Sequence, residues 1–286
     1  MTRAYLGTGL LGAAFVRAML RRKQAVRVWN RTAAKAQALT AEGAEMAPSP
    51  GAAVEGADIV HLTLRDDAAV DEVLASARPH LKPGALILDH TTTSVGGARQ
   101  RAADWSKAGL RYLHAPVLMA PQHALDATGL MMVSGAPALI AQAMPELGPM
   151  TGEVLNLGDD PGVAAATKLA VNLYSVAMMS GLSDVLSLAQ GAGLPLDTVK
   201  RLFGQRDMTG LTLGMLDRIA RAKHNDHPGW ELSMARKDVR LALEEGAKSG
   251  HRMVAMPAAA AEMDRWIADG FGHADWAVFA SAAVKG

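Results

Sequence analysis

Short apolar runs alternate with stretches of helical periodicity along the first part of the chain. The runs have the length and composition of buried strands, and they lie at residues 4–6, 26–29, 59–64, 85–88, 112–117 and 130–133. Between most of them, apolar residues recur every three or four positions, as at residues 10–22, 33–42 and 68–77. This alternation predicts an α/β fold, in which a Rossmann-type doubly wound parallel sheet carries helices on both faces.

The pattern changes at a turn-rich segment, residues 158–162, which reads Gly-Asp-Asp-Pro-Gly. Helical periodicity then runs from 163 to 190 without a strand-like run. Further helical segments follow at residues 196–203, 212–223, 233–249 and 257–269. We therefore predict a Rossmann-type domain over residues 1–157 and an all-α domain over residues 158–286, which begins with a long interdomain helix.

The composition narrows the classes of protein that fit this plan. Of the 286 residues, 50% are hydrophobic, and 29 Lys and Arg against 28 Asp and Glu leave a formal charge of +1. So balanced a charge argues against a disordered acidic chain and against nucleic-acid binding. The absence of cysteine excludes disulfides, a thiolate nucleophile and Cys-ligated metal sites. No segment reaches about 18 uninterrupted apolar residues, so we expect a cytoplasmic protein without a membrane span.

A glycine-rich sequence follows the first strand-like run. It reads Gly7-Thr8-Gly9-Leu10-Leu11-Gly12, a G-x-G-x-x-G pattern that opens a predicted helix. In a dinucleotide site the first glycine makes the turn, the second lets the backbone approach the pyrophosphate, and the third allows close packing of helix and strand. A glycine-rich turn without a ligand is the alternative. The position between strand and helix favours a dinucleotide, to which we assign residues 7–12.

The end of the second strand predicts which dinucleotide binds. NAD sites usually place an Asp or Glu there to bind the ribose hydroxyls, whereas this chain has Asn30, Arg31 and Thr32. A guanidinium suits the 2′-phosphate of NADP. Residues 1–50 also carry eight Lys or Arg against two Glu. We therefore predict NADP(H) binding at these three residues, although Thr32 could instead cap the following helix.

Further motifs occur in the order expected of a known family. They are Leu64-Arg65, Asp89-His90-Thr91-Thr92, Ala115-Pro116-Val117, the segment 162–172, and Lys237-Asp238. With the glycine pattern, they make essentially the whole chain resemble the β-hydroxyacid dehydrogenases, the family of 3-hydroxyisobutyrate dehydrogenase, and the related imine reductases. The resemblance implies that the cofactor contacts four further residues, Leu64, Arg65, Thr92 and Lys237. It also implies that Lys168 and Asn172 are catalytic.

Lys168 and Asn172 are four residues apart, so they share one face of a helix. From spacing alone, a lysine on an apolar helix is more often a residue that extends its ammonium to solvent or to an interface. In the catalytic interpretation that the resemblance implies, hydride passes between nicotinamide and a carbon that bears oxygen or nitrogen. Lys168 would then exchange the proton of the substrate oxygen, and Asn172 would orient the substrate.

The predicted substrate loop departs from the family. The family continues Ala-Pro-Val with Ser-Gly-Gly, whereas here Val117 is followed by Leu118, Met119 and Ala120, and then by a proline. The groups that would hold the carboxylate of a short hydroxy acid are therefore absent, because proline also lacks an N–H. We predict that residues 117–120 bind a larger or more apolar substrate. Alternatively, Leu118 and Met119 only pack against the helical domain.

Together these observations predict an NADPH-dependent oxidoreductase that acts on a carbonyl or hydroxy compound. One alternative is an imine reductase or reductive aminase, which often has an apolar loop here but usually carries Asp or Tyr in place of Lys168. Another is a non-catalytic NADP-binding sensor. No histidine pair has ligand spacing beside a carboxylate, so we predict no metal. The long apolar helix indicates a homodimer.

Overall fold

The structure, a computed structural model, describes residues 1–221 and 228–284. Its strands are β1 (Arg3–Leu6), β2 (Val26–Trp29), β3 (Glu45–Met46), β4 (Ile59–Leu62), β5 (Leu86–Asp89), β6 (Arg111–His114), β7 (Val117–Leu118), β8 (Leu130–Val133) and β9 (Glu153–Asn156). The helices up to the long one are α1 (Leu10–Arg21), α2 (Ala33–Gln37), α3 (Pro50–Val54), α4 (Asp67–Ala77), α5 (Val95–Lys107), α6 (Pro121–Asp126), α7 (Pro137–Leu147) and α8 (Val163–Gly191). They are followed by α9 (Leu196–Gly204), α10 (Met208–Arg221), α11 (Leu232–Ala247) and α12 (Met256–Trp266).

Six parallel strands form the main sheet in the order β3-β2-β1-β4-β5-β6. Successive residues of β1 point to opposite faces of this sheet. Tyr5 packs into a core cluster with Phe15 of α1, whereas Leu6 packs into a second cluster with Val70 of α4. Helices therefore cover both faces, which confirms the predicted doubly wound α/β fold. The strand order reverses between β1 and β4, and ligands of such sheets bind at the carboxyl ends of the strands there.

The prediction of a single strand over residues 112–117 is wrong. The run is divided between β6, the edge strand of the main sheet, and β7, which pairs antiparallel with β8 in a second sheet of order β7-β8-β9. Pro116 lies at the division, and its nitrogen has no hydrogen to donate to a strand ladder. Its carbonyl oxygen accepts a hydrogen bond from the Met132 N–H at 2.9 Å. The change of sheet thus begins the loop that carries the predicted substrate residues.

Beyond β9 the described residues, up to 221 and from 228 to 284, contain helices and turns but no further strand. This confirms the predicted all-helical C-terminal part and its long helix, α8, which has 29 residues. The predicted helix at 212–223 corresponds to α10, and its residues 222 and 223 lie outside the described part. The chain separates into two compact units, Met1–Asn172 and Leu173–Gly286. The domain boundary after residue 157 stays a prediction.

Helix α8 is long and apolar enough to span a membrane, with a mean hydropathy of 1.3 in its most apolar window. Helices that pack inside or between protein molecules pass the same test. Near its C-terminal end, the buried Asp184 accepts hydrogen bonds from the backbone N–H groups of Val254, Ala255 and Met256 at 2.7–2.9 Å. A carboxylate bound in this way anchors α8 within the second unit, so we interpret α8 as a helix that packs against protein.

Candidate cofactor-binding and active site

The three glycines after β1 each meet a different steric requirement. Gly7 has a φ of +98°, and a Cβ there would overlap the carbonyl oxygen of Thr63. A Cβ at Gly12 would overlap the carbonyl oxygen of Gly7, so Gly12 lets α1 pack closely on the turn. A Cβ at Gly9 would meet no atom within 4 Å. Gly9 therefore leaves open space beside the backbone, as a bound pyrophosphate requires.

The N-terminus of α1 borders this open space, and neither its N-cap residue nor its first turn supplies an anion. Gly9 is the N-cap residue and supplies no side-chain acceptor, and the first turn of α1 contains no acidic residue. The free N–H groups and the helix dipole of such a terminus favour an anion. Leu10, the first residue of the helix, is 86% exposed, an unusual state for a leucine beside a cleft. These features fit a dinucleotide that covers the turn.

Asn30 connects the second strand to the glycine turn. Its Oδ1 accepts a hydrogen bond from the Thr8 N–H at 2.9 Å, and its Nδ2 donates to the Thr32 carbonyl oxygen at 2.9 Å. Asn30 therefore holds two backbone segments in place. The Thr8 hydroxyl oxygen is buried and has no hydrogen-bond partner among the described residues. Thr32 is the N-cap residue of α2, but its side chain makes no capping hydrogen bond, so its hydroxyl is available to a ligand.

A cleft of about 400 Å³ lies at this end of the sheet. Nine predicted cofactor residues line it, namely Gly7, Gly9, Leu10, Leu11, Asn30, Arg31, Thr32, Leu64 and Arg65. The wall also includes residues that sequence reasoning missed, among them Lys35 and Glu72. Lys35 follows Arg31 by four residues, and both are exposed at the same cleft. Two cations at the end of β2 fit the 2′-phosphate of NADP.

The opposite wall of the cleft is fixed by a hydrogen bond between two loops. The Leu64 N–H donates to the Thr91 hydroxyl at 3.0 Å, so the buried Thr91 positions the loop after β4. The predicted cofactor residue Thr92 is half-buried and lies outside the cleft lining. Arg65 is exposed and forms an ion pair with Asp66 at 2.7 Å.

Lys168 lies near the start of α8, in the first unit, where the helix is firmly anchored. The Arg99 guanidinium binds both carboxylate oxygens of Asp160 at 2.6–2.8 Å and lowers the pKa of that carboxyl to about 2. Asp160 in turn accepts the Gly162 N–H at 2.9 Å. The Ala164 N–H, one turn before Lys168, donates to the Ser134 hydroxyl at 3.0 Å. The backbone that carries Lys168 is therefore held by side chains of two other segments.

Lys168 itself is half-buried, and burial lowers the pKa of its ammonium. A lysine with a lowered pKa exchanges protons more readily near neutral pH. Asn172 is exposed one turn further along α8. Lys237 lies in α11 of the second unit, where its Nζ pairs with Asp238 at 2.7 Å. The roles predicted for these three residues stay predictions.

The predicted substrate loop divides into two kinds of side chain. Val117 is buried, and Met119 packs against the main core and fills the space where Gly129 lacks a side chain. Leu118 is half-buried, and Ala120 is exposed. Leu118 and Ala120 are therefore the members of the loop that can meet a ligand without repacking the core.

Within the described residues, 1–221 and 228–284, no group of three or more His, Asp or Glu could hold a metal ion.

Comparison with known proteins also indicates a dinucleotide-binding domain. Residues 2–158 match a protein family described as the NAD binding domain of 6-phosphogluconate dehydrogenase. The chain belongs to this family. The match covers the main sheet, the second sheet and the glycine turn, and it ends at the turn before α8.

Whole-chain similarities extend beyond that domain. The uncharacterized oxidoreductase YfjR of Bacillus subtilis is 28% identical over 285 residues, which cover 97% of this chain and 98% of that protein. Glyoxylate/succinic semialdehyde reductase 1 of Arabidopsis thaliana is 27% identical over 266 residues, which cover 91% of this chain and 90% of that protein. An imine reductase from Myxococcus stipitatus, in complex with NADP+, shares the fold with a TM-score of 0.86 over 98% of this chain and 99% of its own, at 22% identity.

These findings confirm the resemblance predicted from the motifs. The protein is an NAD(P)-binding oxidoreductase of the family that carries the NAD binding domain of 6-phosphogluconate dehydrogenase, and it is similar in fold to an imine reductase.

Proposed function

We propose that the protein is an NADPH-dependent reductase that transfers hydride to a carbonyl compound and, in reverse, oxidises the corresponding alcohol. The observation that carries this proposal is the half-buried ammonium of Lys168. Burial lowers its pKa, and Asp160 and Ser134 anchor the start of the helix that carries it. A proton donor held on a rigid element is what carbonyl reduction needs. The curated reductase from Arabidopsis thaliana, whose name specifies aldehyde substrates, supports the same class.

The preference for NADPH over NADH rests on the charges at the end of β2. Arg31 and Lys35 both line the cleft, and the carboxylate that would bind the ribose hydroxyls of NAD is replaced by Asn30. Asn30 is itself occupied by backbone hydrogen bonds at 2.9 Å. The two cations are therefore the groups that would select a 2′-phosphate. The imine reductase of similar fold was solved with NADP+.

The bound nicotinamide would supply or accept the hydride. The chain's own residues would do the rest. In reduction, the Lys168 ammonium stabilises the negative charge that develops on the substrate oxygen and donates the proton to it. In oxidation, the neutral amine removes that proton. Asn172, on the same face of α8, orients the substrate by donating from its amide without changing the charge balance.

The loop supports a substrate larger or more apolar than a short hydroxy acid. Leu118 replaces the family's hydroxyl with an apolar surface, and the Ala120 N–H already donates to Nδ1 of His123 at 3.1 Å. Met119 packs against the core and so supports the loop rather than the substrate.

A second candidate is the reduction of imines. The similarity in fold to an imine reductase and the apolar Leu118 favour it. In that reaction hydride reaches a carbon bound to nitrogen, and an iminium that is already protonated needs no proton from Lys168.

A panel of apolar aldehydes, keto acids and cyclic imines, each tested with NADPH and with NADH, separates these reactions. We expect the highest kcat/KM with an apolar aldehyde or ketone and NADPH, measured by the loss of reduced nicotinamide absorbance. Faster turnover of the cyclic imines would replace the proposal with imine reduction. Tight NADPH binding without turnover of any compound would instead indicate a sensor.

A further inference from the structure

A second cavity, of about 680 Å³, follows the outer edge of β6 between α5 and α7. We call it the edge groove. Among the described residues, none of those that line it also lines the cofactor cleft. Much of its wall is apolar, with Ala102 and Ala103 from α5, Leu110 and Leu113 from β6 and its approach, and Ala138 and Leu139 from α7. Both the volume and the apolar wall are typical of sites for small organic molecules.

The carboxyl end of the edge groove holds a buried hydrogen-bond acceptor. His114 lines the groove and is only 2% exposed. Its Nε2 lies 2.9 Å from the carbonyl oxygen of Thr91, which can only accept, so Nε2 carries a proton. Burial lowers the pKa of His114 and keeps the ring neutral. Nδ1 is therefore an acceptor, and none of the described residues donates to it.

The amino end of the edge groove holds a buried donor. Arg111 donates from one terminal guanidinium nitrogen to the side-chain oxygen of Gln142 at 3.0 Å. Its Nε is buried and has no acceptor among the described residues. Unsatisfied buried polar atoms are rare in native proteins, and a charged donor favours a carboxylate as its partner. The two unsatisfied atoms, an acceptor and a charged donor, are thus buried in residues that line opposite ends of the groove.

The spacing of these two residues along the strand limits the shape of a ligand. Three residues of extended strand place the Cα atoms of Arg111 and His114 about 10 Å apart along β6. Their side chains leave the strand on opposite faces, and the groove reaches both because it follows the strand's outer edge, lined by α5 and by α7. A ligand that satisfies both ends has an apolar body, a carboxylate at one end and an O–H donor at the other.

We propose that the edge groove is a second small-molecule site, separate from the cofactor cleft, that binds a hydroxyaryl carboxylate. The hydroxyl donates to Nδ1 of His114, the ring lies against the alanine and leucine side chains, and the carboxylate accepts from Arg111. The site is independent of which carbonyl or imine the enzyme reduces.

Calorimetric titration of the full chain, saturated with NADPH, tests this site with 4-hydroxyphenylpropanoate and with phenylpropanoate, which lacks only the hydroxyl. We expect saturable binding of the hydroxylated probe, at least about tenfold tighter than binding of phenylpropanoate. In His114→Phe, which keeps an aromatic ring but has no acceptor, the two compounds should bind equally. Equal affinities for the unmodified protein, or no saturable binding of either compound, would overturn the proposal.

A second pair of variants keeps the test decisive if His114→Phe does not fold. Ala103 is exposed on α5, so Ala103→Trp fills the groove from outside the core and should abolish binding of the probe. Ala75→Trp, at an exposed position of α4 outside the groove, is the matched control and should bind the probe normally. Binding that survives in Ala103→Trp but is lost in Leu118→Ser would place the probe in the active site and refute the edge-groove site.

Discussion

The side-chain oxygen of Asn30 accepts a hydrogen bond from the backbone N–H of Thr8 at 2.9 Å, so the residue after β2 holds the glycine turn after β1. Its amide nitrogen donates to the Thr32 carbonyl oxygen and ties the same side chain to the start of α2. Asn30 thus gives the turn its shape, whereas Arg31 and Lys35 beside it supply charge. These two functions are separable by mutation.

Asn30→Ala removes both hydrogen bonds without changing the charge of the cleft. Each bond contributes roughly 0.5–1.5 kcal/mol to the stability of the turn, and binding must then order the turn, so cofactor affinity should fall by at most about 1–3 kcal/mol. Because the pyrophosphate turn is common to both cofactors, NADPH and NADH should lose affinity equally in fluorescence titrations. A selective loss of NADPH binding would show that Asn30 reads the 2′-phosphate and would contradict its assignment to the turn.

Arg31→Asp should produce the selective loss. Removing the guanidinium and adding a carboxylate should weaken NADPH binding on the order of 2–4 kcal/mol, whereas NADH binding should change much less. Lys23→Asp is the matched control, because Lys23 is also exposed and basic but does not line the cleft. Equal loss for both cofactors in Arg31→Asp would make Arg31 a residue that supports the fold.

The longer regular elements of the fold could be predicted from the sequence because each has its own period. Buried runs of four or more residues predict strands such as β4, and apolar residues at helical spacing predict α1 and α8. The two-residue strand β3 and the five-residue helix α3 are too short to show a period. The division of residues 112–117 between two sheets depends on the pairing of β7 with β8, which is not encoded locally.

The side-chain contacts of the candidate site also depend on distant residues and so could be predicted only in part. The glycine pattern predicts the turn because each glycine answers a local steric demand. Met119 is different, because its packing depends on the missing side chain of Gly129, ten residues further along the chain. Thr91 rather than Thr92 binds the loop at Leu64, and the motif alone does not distinguish these two neighbouring threonines. The contacts of Met119 and Thr91 are therefore determined by residues distant in the sequence and not by residue type alone.

The packing of Met119 determines how the substrate loop should be tested. Leu118→Ser changes the half-buried side chain and leaves Met119 in the core. We expect the ratio of kcat/KM for short hydroxy acids to that for apolar alcohols to rise, because a hydroxyl replaces an apolar surface. Met119→Leu, which conserves the volume of the packed side chain, should leave the ratio unchanged. An unchanged ratio in Leu118→Ser would remove the loop from substrate selection.

The second unit has an apolar face that supports the predicted homodimer. Leu173, Val176 and Met179 of α8 lie at three-residue spacing and are 70%, 64% and 68% exposed. A cavity of about 630 Å³ between α8, α9 and α10 is also lined mainly by apolar side chains. Exposed apolar surface of this extent is typical of protein interfaces. We therefore expect light scattering to give the mass of a dimer.

The dimer is tested by placing charges on that face. Val176→Glu combined with Met179→Glu should yield a folded monomer, because uncompensated carboxylates cannot be buried in an interface. Gln190→Glu adds a charge to α8 at an exposed polar position and should leave the dimer intact. A monomeric unmodified protein, or a double variant that remains dimeric, would contradict the prediction.

The role of Lys168 has a distinctive pH signature. Burial lowers the pKa of its ammonium, so the proton donor is lost at a lower pH than for an ordinary lysine. The kcat/KM for carbonyl reduction should be constant below that pKa and fall as the pH rises through it. For alcohol oxidation, which needs the neutral amine, kcat/KM should rise over the same interval. Initial rates in both directions across the pH range measure the two curves.

Two substitutions separate proton transfer from electrostatic stabilisation. Lys168→Ala should lower turnover by roughly 10²–10⁴, the range for losing a positioned general acid, with NADPH affinity and thermal stability nearly unchanged because alanine favours the helix. Lys168→Arg keeps the charge but does not release a proton near neutral pH, so its slower reduction should lose the pH dependence. Thr167→Ala, the adjacent residue, should keep the original profile. Near-normal turnover in Lys168→Arg would mean that Lys168 acts only through its positive charge. Near-normal turnover in Lys168→Ala would favour imine reduction, which needs no lysine at this position.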